Sequence, residues 1–266
     1  LIAFVLGSVV ALFAGLSYAE LSSMFPKAAA EYTFIKNAFK NNFFAFIIGW
    51  LTAITSMIMA ATVALGFGGY FSEFLNIPII ISAILLIGVL SIVNFIGIRE
   101  SSWTNTIFTI IEVSGLILVI IIGFTISEPE PVNYFESPTG FTGIIIAFVL
   151  IFFAFIGFED MANVAEEVRN PKKVIPRAII LSVMISGIIY VLVSLAVVRV
   201  INWEDLSLSA APLADVAKRG LGAQGHMIFS GIALFAITNT VLITLVAGSR
   251  MIYGMAREKS FPDILA

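Results

Sequence analysis

Apolar residues in this chain fall into long runs, and the short segments between them collect most of the charge. Seven runs stand out, near residues 1 to 19, 43 to 70, 78 to 98, 104 to 127, 141 to 165, 174 to 198 and 227 to 250. A helix needs roughly 20 apolar residues to cross about 30 Å of hydrocarbon. The pattern therefore predicts an all-α membrane protein with about seven transmembrane helices. No low-complexity linker or residue-level repeat interrupts it, so residues 1 to 266 read as one transmembrane domain.

Two connections carry patterns of their own. From Lys27 to Lys40, Ala28, Tyr32, Ile35 and Phe39 recur at helical spacing, while Lys27, Glu31, Lys36 and Lys40 lie off that stripe. This is the pattern of a helix lying in the membrane interface, with a solvated connector as the alternative. From Ser209 to Gly220, a serine, Pro212, an acid and then Lys218, Arg219 and Gly220 spell a short helix.

Composition agrees: 60% of residues are hydrophobic and 12% charged, against about 25% charged in soluble domains. Mean hydropathy is +1.08. The net charge of -3 gives no basic footprint for nucleic acid. With no cysteine and only His226, disulfides, thiolate metal sites and histidine clusters are excluded. No motif speaks to oligomeric state.

Charge distribution adds a direction, because cytoplasmic loops are enriched in Lys and Arg. Alternate loops carry Lys27, Lys36, Lys40, Arg99, Arg169, Lys172, Lys173, Arg177, Arg250, Arg257 and Lys259, against Arg199, Lys218 and Arg219 on the other face. That is eleven against three. The poor face, which includes Ser127 to Gly140 with Glu128, Glu130 and Glu136, is the outside. Leu1 then falls outside, within an apolar run and without an initiator Met, and the chain stops at Ala266 just after a Phe-Pro turn. The expectation is a fragment, with another span upstream and further sequence downstream.

Chemistry concentrates in the fifth run, where Phe152-Phe153-Ala154-Phe155-Ile156-Gly157-Phe158-Glu159-Asp160 places a glycine and two acids directly after apolar sequence. Acids are costly if they face lipid. One solution is a helix broken at Gly157, with the acids at the positive start of a second half-helix on which Met161, Val164, Ala165 and Val168 recur, up to Asn170-Pro171. Unwound carbonyls there would bind an ammonium group or another cation. The alternative is a helix that ends at Gly157, leaving the acids in the cytoplasmic loop.

Glu112 lies well inside the fourth run. It reads either as a proton or cation coupling site or as a protonated carboxyl bonded to a neighbouring helix. Small and hydroxyl residues at Thr52, Ala53, Thr55, Ser56, Ala60, Ala61 and Thr62 suit helix packing in lipid, with a substrate path as the other reading. Gly66, Gly68 and Gly69 follow an apolar span rather than a strand, so they make no phosphate loop.

Several segments together carry a family resemblance: Tyr18-Ala19-Glu20-Leu21 with Phe25-Pro26; Gly49-Trp50; Asn94 to Gly97; Phe155-Ile156-Gly157-Phe158-Glu159; Ala165-Glu166-Glu167 with Asn170-Pro171 and Ile175-Pro176; and Ser249-Arg250 with Arg257 and Phe261-Pro262. In order and spacing the chain resembles the amino acid permeases of the amino acid-polyamine-organocation superfamily over its whole length. The resemblance implies a LeuT-like fold of two inverted five-helix repeats, usually followed by two more helices, with the first and sixth helices broken at the midplane. The first run here resembles the family's second helix, so the fold would be partial, lacking the first helix and those after the eighth.

By the same resemblance, Phe153, Ala154 and Ile156 match positions whose carbonyls receive the substrate ammonium. Phe155 lies in the same stretch, Phe153 also matches an aromatic gate, and Gly157 permits the break. Glu159 matches an acid that helps couple protonation or gating to opening. Thr52, Ala53 and Met57 match side-chain pocket positions. Two departures stand out. Ala28, Ala29 and Ala30 follow Lys27 where the family usually shows a glycine pair, implying a stiffer turn. Glu112 stands where many proton-coupled members carry a lysine, so a proton, a bound cation or uncoupled exchange all stay open.

The resulting expectation is a multi-pass plasma membrane carrier for a neutral amino acid. It needs no cofactor beyond a proton or sodium as coupling ion, and its partners are the amino acid and the bilayer. The helix count alone is shared with seven-span receptors, and no nucleophile, base and metal converge as an enzyme would need.

Overall fold

The computed structural model describes the chain except residues 76, 97, 127–131, 135, 136, 138, 210 and 266, and describes backbone alone at 72–74, 98–102 and 263. Gly97, the side chain of Arg99, and Glu128, Glu130 and Glu136 of the outer loop therefore lie outside the described residues. Among those described, every regular element is helical. In order these are α1 (Ile2–Met24), α2 (Ala30–Phe39), α3 (Asn42–Leu75), α4 (Ile79–Ile96), α5 (Ile98–Thr125), α6 (Gly140–Phe152), the one-turn α7 (Asp160–Asn163), α8 (Pro171–Val200), α9 (Trp203–Leu208) and α10 (Pro212–Arg257). Short 3-10 turns occupy Phe153–Phe155, Ala165–Glu167 and Asp263–Leu265.

Seven of these segments are long and apolar enough to cross a membrane: Ile2–Met24, Asn42–Phe71, Ile79–Ile96, Trp103–Thr125, Gly140–Asn163, Pro171–Val200 and Pro212–Arg257. They coincide with the seven apolar runs, and the chain is an all-α, multi-pass integral membrane protein. Many large apolar side chains point away from the packed core, Phe95 at 92% exposure among them. Such surfaces suit lipid rather than water.

By packing the chain divides into two units. The first holds Leu1–Ala11, Ile107–Ile156 and Val183–Ala236. Its core joins Val119 and Ile122 of α5, Val197 and Val200 of α8, and Val216, Ala217 and Phe229 of α10. Small residues let these helices approach closely. A Cβ on Gly123 would stand 2.5 Å from that of Ala196, and one on Gly115 would stand 2.8 Å from Ile232.

The second unit holds Leu12–Thr106, Gly157–Ser182 and Ile237–Ala266. Here Ala53 of α3 is fully buried with Ala29, Tyr32, Ala45, Met251 and Met255. One turn before it, Gly49 has Met255 Sδ only 2.6 Å from where a Cβ would sit. Ala60 and Ala64 continue the stripe against Val241, Leu242 and Val246 of α10. Ser56 sits against Gly248. The small residues of α3 are thus largely a packing face, while Thr55, Ala61 and Thr62 are exposed.

Three local expectations change. The interfacial helix begins at Ala30, not Lys27, and its stripe is displaced: Glu31 is buried and Phe39 is 61% exposed. Hydrogen-bonding partners reach Glu31 from α1 and α7, so its carboxyl is held in the core rather than in water. The half-helix after the break is not continuous. It stops after one turn, Val164 leaves helical geometry (φ -101°, ψ 14°), and Val168 is extended. Side chains of this stretch bond to other elements instead, as described below. Finally, the short helix expected over Ser209 to Gly220 starts at Pro212 and runs into α10, interrupted at Gly222 by φ 72° and ψ -159°, a conformation essentially reserved for glycine.

Candidate functional site

The site grows out of the end of α6. Its all-apolar sequence carries regular helix to Phe152, where a 3-10 turn closes the Ile156 N–H on the Phe153 carbonyl at 3.3 Å. Ile156 is extended (φ -63°, ψ 139°), and Gly157 follows at φ 120°, which side-chain-bearing residues rarely adopt. The glycine N–H donates to Glu159 Oε2 at 2.9 Å, so the acid anchors the turn rather than facing lipid. The Asp160 N–H then closes on the Gly157 carbonyl at 3.2 Å, and α7 begins. The predicted discontinuity between Ala154 and Glu159 is present: regular helix stops at Phe152, ahead of Gly157, and resumes at Asp160 for one turn only.

Within the first unit, Phe155 is the anchor of the break. It is buried while Phe153 and Ile156 are 58% and 41% exposed. Its ring meets Tyr190 of α8 edge-on at 5.1 Å between centroids and lies 3.0 Å from where a Cβ on Gly7 would be. Tyr190 Oη donates to the Ala154 carbonyl at 2.9 Å. Glu112 of α5 is half-buried in the same unit. Residue-level reasoning passed over Tyr190. A phenol inside an apolar span needs a hydrogen-bond partner, and that was the available signal.

Among the described residues, no hydrogen bond closes on the carbonyls of Phe155 and Ile156. Those of Phe153 and Ala154 each accept one, and a carbonyl has two lone pairs. The stretch therefore presents several oxygens to a cation donor. The proposed pocket residues of α3 are placed differently. Ala53 is enclosed by helix packing, the Thr52 hydroxyl donates back to the Ile48 carbonyl at 3.0 Å, and Met57 is 51% exposed.

After the break, the chain is tied into the Lys/Arg-rich end of the second unit. Asn163, 2% exposed, accepts the Ala30 N–H at 2.8 Å and donates to Glu31 Oε2 at 3.3 Å. Glu166 accepts the Ala28 N–H at 3.2 Å and pairs with Arg257 at 2.7 Å, and Glu167 pairs with Arg250 at 2.9 Å. Lys36 and Lys27 pair with Glu258 at 2.6 and 3.2 Å. The Lys36 hydrogen bond is the main cause holding the Glu258 carboxyl below its ordinary range and raising Lys36 in turn.

A family model for amino acid permeases matches residues 1–266. The chain belongs to the amino acid permease family. Among similar proteins, the branched-chain amino acid permease BcaP of Bacillus subtilis is 31% identical over 290 residues, covering 100% of this permease and 61% of the relative. Cationic amino acid transporter 4 of Mus musculus is 28% identical, covering 100% of this permease and 45% of its own length. A methylthioribose transporter of Bacillus subtilis is 27% identical, with 100% and 61% covered. The chain thus spans roughly half to three-fifths of the relatives it matches. The family and these relatives are permeases and transporters rather than enzymes.

Proposed function

We propose that the protein is a secondary active carrier of the plasma membrane that moves amino acids by alternating access, with residues 1 to 266 acting within one permease domain. The observation that carries this reading is the break at Ile156-Gly157. Its open backbone oxygens suit an α-ammonium group, and they lie in the stretch that resembles the family's substrate site. Phe153, Ala154, Phe155, Ile156 and Gly157 form this half of the site, and Glu159 holds its turn. By the resemblance alone, Thr52, Ala53 and Met57 are assigned to the side-chain pocket.

The substrate is a neutral amino acid, because Phe153, Ala53 and Met57 offer no fixed charge to a cationic side chain. The relatives named above carry labels as different as branched-chain and cationic amino acids, so a competition uptake panel with the full-length carrier is the direct test. Uptake specific for arginine and indifferent to neutral amino acids would overturn the assignment. Coupling to a proton or sodium runs through Glu112. The second reading is ion-independent exchange, favoured by an acid standing where coupled relatives carry a lysine. Uptake with and without each gradient, in wild type and Glu112→Gln, separates them. Gradient dependence that survives the substitution removes Glu112 from coupling.

A further inference from the structure

Glu31 is the buried acid that the transport reading leaves unused. It lies on α2, outside the spans, yet is only 9% exposed. Tyr18 Oη of α1 is 3.3 Å from Oε1, and Asn163 Nδ2 of α7 is 3.3 Å from Oε2. The Asn163 amide is oriented, because its oxygen already accepts the Ala30 N–H at 2.8 Å. Around this cage Ala30 and Phe34 pack on Ala162, with Tyr18, Leu21 and Phe25 alongside.

The charged and titratable groups facing Glu31 are Tyr18 from α1 and Glu159 and Asp160 from the segment around the break. No lysine or arginine bonds to it among the described residues. A buried carboxylate with two acids nearby and no cation is costly, and protonation removes that charge. Both neighbours donate to Glu31, the Tyr18 hydroxyl to Oε1 and the Asn163 amide to Oε2; a proton on Oε1 would reverse the first of these bonds, because a phenol can also accept.

We propose that Glu31 is a proton-binding site, and that the bound proton locks the interfacial helix α2 onto the Asp160–Asn163 turn directly after the break. Burial, the largest cause, holds its carboxyl above the ordinary carboxylate value; the hydrogen bonds from Asn163 and Tyr18 pull the other way without cancelling it, and the Glu159 charge adds to the rise. The sign follows by linkage. A group whose value is raised in the docked state favours docking at low pH, and that contribution is lost as pH rises through the docked value. Losing the proton drives Glu31 toward water and loosens α2. For the carrier reading above, the consequence is a cytoplasmic pH input next to the substrate stretch. The test reads α2 directly, so it stands or falls independently of what is carried.

The experiment is amide hydrogen exchange of the purified full-length protein from about pH 5 to about pH 9, corrected for intrinsic exchange. Peptides covering residues 28–34 report α2, and peptides covering residues 197–201 report the core of the other unit. In wild type, protection over 28–34 falls by up to about tenfold per pH unit above the docked value, while 197–201 holds steady. Glu31→Gln, which mimics the protonated acid, stays protected at every pH. Should that variant fail to accumulate, Glu31→Met also cannot titrate and carries the same expectation. Flat protection in wild type, equal loss in both peptides, or an unchanged pH response in the substituted protein would each overturn the proposal.

Discussion

The break at Ile156-Gly157 and the turn leading into α2 both use left-handed backbone, but in opposite ways. At the break a glycine holds φ 120°, and among the described residues no hydrogen bond closes on the Phe155 and Ile156 carbonyls before it. At the turn an alanine, Ala29, holds φ 52° while fully buried, and the N–H groups on either side of it are capped by Glu166 and Asn163. The first arrangement leaves backbone oxygens open. The second consumes N–H groups to fix one element against another. Positive φ is thus met by different residues with different hydrogen-bond outcomes.

The largest test of that contrast is Gly157→Leu. A side chain at φ 120° is strained by about 1–3 kcal/mol, and relief of the strain closes the turn that Glu159 anchors. Substrate uptake should fall to background, and near-normal uptake would mean the left-handed turn is dispensable. Next comes Asn163→Leu, which orphans the buried Ala30 N–H and one Glu31 oxygen. It should lower thermal stability by about 1–3 kcal/mol, measured by melting of the purified protein. An unchanged melt would remove Asn163 from the docking of α2.

Tyr190→Phe is a finer probe of the open side of the comparison. It keeps the ring packed on Phe155 and deletes one hydrogen bond, at a cost of about 0.5–1.5 kcal/mol in stability. Because it frees the Ala154 carbonyl, the KM for uptake should change more than the maximal rate. Equal changes in both would assign Tyr190 to structure alone. The smallest effect is expected from Ala29→Gly. Relief of left-handed strain, about 1–2 kcal/mol, is partly offset by about 0.5–1 kcal/mol of added backbone entropy in the unfolded chain. A stability gain of at most about 1.5 kcal/mol should appear in the same melt. A clear loss would mean that the Ala29 methyl, packed beside Gly254, outweighs the strain it causes.

Much of this site was legible residue by residue. Gly157 followed by two acids marked the break because each residue type answers a local need: rare backbone torsion, then a partner for a free N–H. The short helix before Gly222 was readable from Ser209, Pro212 and Gly220 for similar reasons. Glu31 was misplaced because helical spacing reports which residues share a face, not which face meets the core. Met161, Val164, Ala165 and Val168 kept helical spacing without forming a helix. Met161, Ala165 and Val168 pack in the cluster with Ile175 and Ile179, while Val164 joins the one with Val241 and Leu242. Ala53 matched a pocket position by resemblance, yet its methyl is spent on Tyr32 and Met251.

By itself, then, the sequence determined the seven spans, the family and the location of the break. Each rests on hydropathy, charge or backbone preference within a few residues. Only the tertiary structure decided that Tyr190 holds the Ala154 carbonyl, that Glu31 is caged by Tyr18 and Asn163, and that α3 presents its small residues to α10 rather than leaving them open. These contacts join residues tens to more than a hundred positions apart. A polar side chain buried in a helical bundle is defined by the partner it meets, and no local pattern specifies that partner.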